Sequence, residues 1–370
     1  MSEFSRFTPL VQSLPATVPF VGPETQERAA GKEFRARIGA NESGFGPAPS
    51  VKAAMRAAAN EVWKYGDPEN HDLRAALAGH LGITMDHVVV GEGIDGLLGL
   101  VVRQIVGPDT AVVTSLGAYP TFNFHVAGFG GHLVTVPYRD DKEDLDGLLE
   151  AVRRENAPLV FLANPDNPMG SWHAGDAVAA FADALPEDTM LVLDEAYGEM
   201  APEDTLPPVT AFIDRPNIIR MRTFSKGYGL AGLRCGYAFG TPETIVSFNK
   251  VRNHFGVNKM AQVAALAALQ DQAYLGAVCS KIDVARRRIA EIARVNGLEP
   301  LPSATNFVAI DCGRDDAFAT ALLNALVARG VFVRMPGVSP LNRCIRISVG
   351  PEEALDILEA ELPPALTAVS

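Results

Sequence analysis

The segment around Lys226 carries the strongest chemical signal in the sequence. Lys226 follows a predicted buried strand, with the hydroxyls of Thr223 and Ser225 close to it and Arg234 further on. No carboxylate in this segment can pair with the lysine, so we expect its amine to be desolvated. Burial lowers the pKa of an amine and makes it nucleophilic towards an aldehyde. Ser225 and Arg234 suit a phosphate group, the serine by hydrogen bonding and the arginine by its planar fork.

Two other segments place polar side chains directly after predicted buried strands. Asp194 ends one of these strands, and the carboxyl ends of parallel strands are where α/β sheets hold ligands. We predict that Asp194 pairs with a protonated ring nitrogen and that Tyr197 reaches a ring oxygen, with helix capping by Asp194 as the alternative. Asn167 lies in a run with two Asn-Pro steps, which exclude helix and fix a turn. Its amide could donate to the same ring oxygen, although turn formation alone also accounts for this run.

The glycine-rich run GEGIDG at residues 91–96 matches the GxGxxG pattern of dinucleotide-binding folds. The next predicted strand has no acidic residue at its end to bind a ribose, so the pattern is incomplete. We therefore interpret the run as a helix N-terminus that holds the phosphate of another cofactor through the backbone of Gly93, Ile94 and Asp95.

The composition indicates an ordinary globular protein. Hydrophobic residues make up 48% of the chain and charged residues 21%, and the net charge is −12. An acidic surface disfavours nucleic-acid binding, and an anionic substrate then needs a local cationic pocket. The four cysteines are scattered without a CxxC pair, which predicts a reducing compartment and no zinc or other metal site. The N-terminus lacks the apolar core of a signal peptide, and no apolar run is long enough to span a bilayer, so the expected location is cytoplasmic.

Short, continuously apolar runs predict an α/β fold whose mainly parallel, seven-stranded sheet lies between helices, since such strands are buried on both faces. The predicted strands are His87–Val90, Ala111–Ser115, Leu133–Val136, Leu159–Ala163, Met190–Asp194, Ile218–Thr223 and Cys235–Phe239. Two of the connecting segments, Asp144–Arg154 and Gly175–Ala184, are predicted amphipathic helices.

A smaller α+β domain is predicted at the C-terminus. The expected division is an N-terminal arm at residues 1–40, a large domain at 41–247 and a small domain at 248–370. The predicted elements of the last part are helices at Pro242–Asn253, Lys259–Asp271 and Tyr274–Asn296, strand Phe307–Asp311, helix Ala317–Arg329, strands Val331–Arg334 and Cys344–Val349, and helix Pro351–Leu362.

In chain order, the runs GEGIDG, GAYPTF, NPDNPMG, DEAYGE and RTFSKGYGLAGLRCGY resemble the fold-type I pyridoxal-phosphate aminotransferases. Within these enzymes the chain is most similar to the histidinol-phosphate aminotransferase branch. The resemblance extends from Asn41 to Gly350, and the lysine segment and the asparagine-proline turn are its most specific parts.

The resemblance implies a role for each matching residue around a pyridoxal 5′-phosphate cofactor. Lys226 would carry the cofactor as a Schiff base, Asp194 would hold the pyridinium, Tyr197 and Asn167 would bind the ring oxygen, and Tyr119 would stack on the ring. Read from the sequence alone, Tyr119 could equally be a core residue. The phosphate would lie on the amides of residues 93–95, on Ser225 and on Arg234, and Thr223 would also bind the cofactor.

Substrate and partner residues also follow from the resemblance. Arg346 matches the arginine that grips the carboxylate or phosphate of the substrate, Arg334 matches a second anion-binding arginine, and Asn41 begins the matched region and is assigned to the substrate. Tyr65 falls where the family sends a tyrosine across a homodimer interface to the neighbouring phosphate. Phe20 stands where the histidinol-phosphate enzymes commonly carry a tyrosine, and so lacks one donor for the substrate.

The expected activity is ping-pong transfer of an amino group from histidinol phosphate, or from an aromatic or other bulky amino acid, to 2-oxoglutarate. Ile94 stands where a hydroxyl side chain is frequent in the phosphate loop, so its contact must come from the backbone. A decarboxylase with the same cofactor is the main alternative. A non-catalytic binding protein and a nicotinamide oxidoreductase are weaker alternatives.

Overall fold

The computed structural model describes residues 6–16 and 21–369, so Phe20 lies outside the described part. Twelve strands form three sheets within that part. In chain order they are β1 (Ala36–Arg37), β2 (Val88–Gly91), β3 (Ala111–Ser115), β4 (His132–Val136), β5 (Leu159–Ala163), β6 (Met190–Asp194), β7 (Ile218–Thr223), β8 (Gly236–Phe239), β9 (Glu299–Pro300), β10 (Phe307–Asp311), β11 (Val331–Phe332) and β12 (Cys344–Ser348).

Thirteen α-helices connect and cover the strands in the described ranges. They are α1 (Pro9–Ser13), α2 (Pro23–Ala30), α3 (Pro49–Ala58), α4 (His71–Leu81), α5 (Gly93–Ile105), α6 (Pro120–Gly128), α7 (Leu145–Glu155), α8 (Gly175–Ala184), α9 (Pro242–Ser247), α10 (Lys259–Gln270), α11 (Gln272–Val295), α12 (Asp316–Ala328) and α13 (Glu352–Val369). Not one helix within residues 6–16 and 21–369 has the length and apolar character needed to cross a membrane.

The central sheet has seven strands in the order β2-β8-β7-β6-β5-β3-β4. All neighbours are parallel except β8, which runs antiparallel to both β2 and β7. All five residues of β5 are buried, because helices cover both faces of the sheet. The predicted mainly parallel, seven-stranded sheet is confirmed. Strands β3, β5, β6 and β7 therefore bring their carboxyl ends to one edge.

A second module contains β12-β10-β9, an antiparallel sheet, and the parallel pair β1-β11. Helices α11, α12 and α13 pack on these strands around one core cluster. Helix α10 instead contributes to the cluster that contains residues of α3, α4 and β8. The division at residue 247 stays a prediction.

The predicted helix bounds are wrong at two places. The helix predicted over Pro242–Asn253 ends at Ser247 and continues only as a short 3₁₀ turn. Helix α13 does not stop at Leu362 but runs to Val369, through Pro363 and Pro364. Leu362 and Ala365 are fully buried there, so packing offsets the roughly 3 kcal/mol that proline costs inside a helix.

Candidate active site

A small cavity of 230 Å³ lies at the carboxyl edge of the central sheet. Lys226 and Asp194 both line it, so the two residues on which the prediction depends share one pocket. The other predicted site residues that line this inner cavity are Ile94, Asp95, Tyr119, Asn167, Tyr197, Thr223, Ser225 and Arg234.

Lys226 projects into the inner cavity from the turn after β7. Its Nζ donates a 3.0 Å hydrogen bond to the backbone oxygen of Asn41 and lies 5.5 Å from the centre of the Tyr197 ring. Burial, reinforced by the nearby Arg346 cation, lowers the pKa of the Lys226 amine to about 8. At pH 7 about a tenth of this amine is therefore unprotonated, and this neutral form is the nucleophile.

Asp194 is the last residue of β6 and is only 6% exposed. One carboxylate oxygen, Oδ1, accepts a 2.9 Å hydrogen bond from the backbone N–H of Ala196. Burial raises the pKa of Asp194 to about 7, and the attraction of Lys226 offsets this effect only in part. Near neutral pH the Asp194 carboxyl is therefore only partly ionised, and a further cationic group in the cavity would favour its ionised form.

The N-terminus of α5 and the turn after β7 form a cradle beside the inner cavity. Gly93 has a φ of 76°, and a Cβ at this position would lie 2.7 Å from Nη2 of Arg234. Such a positive φ strongly favours glycine, and a side chain here would also displace the Arg234 guanidinium from the first helical turn. The hydroxyl of Thr223 donates to Ser225 Oγ at 3.0 Å, and Arg234 Nη1 donates to the same oxygen at 3.5 Å. Backbone N–H groups, hydroxyls and a guanidinium thus converge where a phosphate can bind.

The carboxylate of Asp95 has two partners that the sequence did not indicate. Oδ2 accepts from Arg234 Nη2 at 3.1 Å, and Oδ1 accepts from the hydroxyl of Tyr119 at 2.8 Å. Tyr119 lines both the inner cavity and a wider one beside it. Asp95 therefore connects Arg234 of the cradle to Tyr119, which lines both cavities.

The wider, outer cavity has a volume of 820 Å³ and shares Asp95, Tyr119, Asn167 and Lys226 with the inner cavity. Arg346 lies at its base, where its Nη1 donates to Oδ1 of Asn167 at 2.5 Å and its guanidinium lies 5.0 Å from the Phe307 ring. Burial lowers the pKa of Arg346 to about 10. The outer cavity thus ends in a desolvated cation suited to an anionic substrate group.

Arg334 lies beside Arg346, since the backbones of the two residues pair across a short bridge. Its Nη2 donates to the backbone oxygen of Val21 at 2.7 Å, and the residue also lines the outer cavity. Asn41 is 3% exposed and donates from Nδ2 to the hydroxyl of Tyr197 at 3.2 Å. Asn41 therefore fixes Lys226 and Tyr197 with respect to each other.

The family model described as "Aminotransferase class I and II" matches residues 37–362. The chain belongs to this family. It is 37% identical over 320 residues to histidinol-phosphate aminotransferase 2 of Ralstonia nicotianae, which covers 86% of this chain and 85% of that protein. It is 31% identical to the histidinol-phosphate aminotransferase of Moorella thermoacetica, covering 92% of this chain and 88% of that protein.

Solved aminotransferase structures superpose on the whole chain. The histidinol-phosphate aminotransferase of Sinorhizobium meliloti, solved in complex with pyridoxal-5′-phosphate, is 62% identical, with a TM-score of 0.97 and complete coverage of both chains. The aspartate aminotransferase of Thermus thermophilus with maleate has a TM-score of 0.81 at 22% identity, covering 97% of this chain and 99% of that one, which shows a shared fold alone.

The residues of this aminotransferase fit the cofactor that the resemblance implies. A cradle of N–H groups, hydroxyls and Arg234 matches a phosphate, and the φ of 76° at Gly93, which other residues rarely adopt, shapes the first turn of this cradle. Asp194 matches a cationic ring nitrogen, and the Lys226 amine matches an aldehyde. Pyridoxal 5′-phosphate carries all three of these groups.

One predicted residue, Tyr65, is not part of the aminotransferase's cavities. Tyr65 is 81% exposed, its ring lies 4.8 Å from that of Phe255, and it lines neither cavity of its own chain. Its predicted role in a neighbouring subunit stays a prediction. The substrate contact assigned to Phe20 falls outside the described residues.

Sequence reasoning missed a pair of buried carboxylates behind Asn167. Glu143 accepts from Ser115 Oγ at 2.5 Å and from the backbone N–H of Ala163 at 2.9 Å, at the ends of β3 and β5. Asp166 accepts from the hydroxyl of Tyr138 at 2.8 Å. Burial raises the pKa of both carboxyls. The position of Asp166 in the Asn-Pro turn could have indicated a role at the site. No feature of the local sequence marked Glu143.

Proposed function

We propose that the protein is a pyridoxal-phosphate-dependent histidinol-phosphate aminotransferase that uses 2-oxoglutarate as amino acceptor. The main support is that Lys226 and Asp194 line one cavity, which adjoins an outer cavity lined by two arginines. The 62% identity to the Sinorhizobium meliloti enzyme supports both the substrate and the cofactor. The absence of any apolar spanning helix in the described part agrees with the cytoplasmic location that we expect for it.

The chain's own residues carry the proton chemistry in this proposal. When bound, pyridoxal phosphate supplies an electron sink that stabilises negative charge on the substrate carbon. Nζ of Lys226 accepts the proton from that carbon and would deliver it to the C4′ carbon of the cofactor, which a pKa of about 8 allows near neutral pH. Asp194 holds positive charge on the ring nitrogen, and Asn41 and Tyr197 fix the direction from which Nζ acts.

A single outer cavity has to accept two chemically different substrates in turn. Histidinol phosphate carries a phosphate, and 2-oxoglutarate carries carboxylates, so the shared feature is an anionic end. Arg346 and Arg334 offer adjoining guanidinium groups at the base and side of the cavity. Their forks bind either anion by paired N–H donors, which explains how one site serves both halves of a ping-pong reaction.

A panel of amino donors with 2-oxoglutarate tests the proposal. We expect histidinol phosphate to give a kcat/KM at least about tenfold above any aromatic or other bulky amino acid, a difference of about 1.4 kcal/mol. Products are identified by mass spectrometry, with glutamate as the expected co-product. If the protein turns over an aromatic donor but not histidinol phosphate, the phenylalanine at position 20, Phe20, has changed the substrate preference. Carbon dioxide release without glutamate would favour the decarboxylase.

We further propose a homodimer in which Tyr65 reaches the phosphate bound by the partner subunit. Tyr65 and its neighbours Val62, Trp63 and Phe255 are all more than half exposed, although they are large and apolar. Such a patch is typical of a protein–protein contact.

Tyr65→Phe should weaken cofactor binding about tenfold and leave the dimer intact, because it removes one hydrogen bond to a charged group, worth about 1.5–3 kcal/mol. Cofactor titration followed by absorbance gives the dissociation constant, and sedimentation gives the mass. Tyr274→Phe is the matched control, because its hydroxyl donates to the backbone of Phe45 and Gly46 away from both cavities. Equal affinities of the Tyr65 variant and the wild type would exclude the contact.

A further inference from the structure

One wall of the outer cavity is formed by a short segment between its two arginines. Met335, Pro336, Gly337 and Val338 line the cavity directly after Arg334. The chain then passes through a 3₁₀ turn at Leu341–Arg343 into β12, which carries Arg346. The position of this cavity wall, the segment 335–338, therefore affects where the two arginines lie in the cavity.

The loop after β3, which carries Gly117 and Tyr119, also lines the outer cavity. Gly117 has a φ of 97°, and a Cβ there would clash with the side chain of Val338 and lie 3.1 Å from Leu341 Cδ1. The cavity wall thus sits directly on the loop that presents Tyr119. A small displacement of one side relative to the other changes the width of the outer cavity.

The Arg343 guanidinium connects the segment after the cavity wall to residues next to the central sheet and in the β12-β10-β9 sheet. Arg343 Nη2 donates to both carboxylate oxygens of Asp141, at 3.0 and 2.8 Å, and Nε donates to Asp311 Oδ2 at 2.7 Å. Its Nη1 donates to the backbone oxygen of Pro340 at 3.1 Å, in the wall's own connection to β12. Asp141 follows β4 of the central sheet, and Asp311 ends β10 of the small sheet.

This arrangement is stronger than an ordinary surface ion pair. The side chains of Arg343, Asp141 and Asp311 are only 25%, 28% and 22% exposed. Arg343 faces two carboxylates at hydrogen-bond distance, and a planar fork loses less freedom on pairing than a lysine does. Asp141 lies in a tight turn closed by paired hydrogen bonds between Arg139 and Lys142, so the acceptor is fixed as well.

We propose that Arg343 is a positioning residue for the substrate: through Asp141 and Asp311 it holds the cavity wall and Arg346 at the distance from Tyr119 that an anionic substrate requires. This inference rests on the proposed function, because it assumes that the outer cavity binds anionic substrates. Arg343 lines neither cavity and touches no cofactor residue. Its effect is therefore confined to substrate affinity and does not extend to the chemical step.

The test compares Arg343→Gln, Asp141→Asn and the double variant, all loaded with cofactor. We expect Arg343→Gln to raise the KM for 2-oxoglutarate about tenfold, as loss of alignment at a site does. We expect kcat and cofactor affinity to change less than about twofold, and the double variant to match Arg343→Gln, since coupled residues are not additive. Arg343→Lys, which keeps the charge but not the fork, should recover part of the affinity.

Succinate, an unreactive dicarboxylate, gives a readout independent of turnover. Its dissociation constant, measured from the absorbance of the loaded protein, should rise in parallel with the KM. Arg288→Gln is the matched control, because Arg288 also pairs with two carboxylates, Asp356 and Glu359, but lines neither cavity. A similar melting-temperature loss in both variants, with weaker succinate binding only in Arg343→Gln, supports the proposal.

Three results would overturn it: unchanged succinate binding in Arg343→Gln, the same weakening in Arg288→Gln, or effects of Arg343→Gln and Asp141→Asn that multiply in the double variant. The proposed function fails separately. Wild-type protein that binds succinate but transfers no amino group from any donor would contradict the proposed function. The role of Arg343 would then be judged from succinate binding alone.

Discussion

Replacing Lys226 with alanine should reduce transamination by about 10⁴-fold or more, because the change removes both the nucleophile and the acid–base group. Nζ of Lys226 is the amine that the structure places in the inner cavity, hydrogen-bonded to Asn41 and facing Tyr197. Steady-state kinetics with the best donor of the panel measure the loss. Borohydride reduction followed by peptide mass spectrometry should find the cofactor bound at residue 226 in the wild type and at no residue in the variant.

Lys250→Ala is the control for this change, because Lys250 is an exposed lysine outside both cavities. It should retain full activity and the same reduced adduct. Substantial transamination by the Lys226 variant, with a circular dichroism spectrum like that of the wild type, would refute the assignment of the catalytic amine.

Replacing Asp194 with asparagine should lower kcat/KM by about 10³-fold, the scale on which one well-placed electrostatic contact contributes to catalysis. The amide keeps the shape of the side chain and its bond with the N–H of Ala196. It cannot hold a proton on a ring nitrogen, so the electron sink is lost. Steady-state kinetics at saturating cofactor separate this effect from weaker cofactor binding.

The same change should stabilise the protein when the cofactor has been removed. Burial raises the pKa of Asp194 in the folded state from 3.8 to about 7, so the folded state binds more protons than the unfolded state between these values. The stability linked to this group is fully present below pH 3.8 and is lost as the pH rises towards 7. At 1.36 kcal/mol per pKa unit, the loss is on the order of 4 kcal/mol at pH 8.

Melting temperatures of the cofactor-free proteins from pH 5 to pH 8 test this prediction. The difference between Asp194→Asn and the wild type should grow in favour of the variant as the pH rises, and should level off above pH 7. Asp146→Asn is the control, because its side chain is 90% exposed. A variant that melts below the wild type at pH 8 would mean that Asp194 is not the destabilising charge we describe.

Local sequence was sufficient for the central sheet and for the residues at its edge. Four predicted strands, β3, β5, β6 and β7, have the observed bounds, because continuous apolar runs leave few other structures possible. The polar residues that follow such strands must meet at one edge, which is why Asp194 and Lys226 could be paired from the sequence. The family of the chain is shown, whereas the individual roles of the site residues stay predictions.

Contacts between distant segments could not be predicted in this way. Arg343 and Asp141 are 202 positions apart, and nothing in either local sequence marks the other as its partner. Asn41 was assigned to the substrate, and its link between Lys226 and Tyr197 appears only in the folded chain. The length of α13 depends on burial of Leu362 and Ala365 by the rest of the core. The general preference of proline to end a helix takes no account of such burial.

The pairing of β1 with β11 has a consequence for biosynthesis. Ala36 pairs with Val331 and Arg37 with Phe332. The strand that pairs with these two early residues is therefore synthesised almost 300 residues later. At about 5–20 residues per second, a ribosome needs some 15–60 seconds to supply that strand. The segment that leads into Asn41 therefore stays without its sheet partner throughout most of translation, and the active site can be completed only after the C-terminal module has emerged.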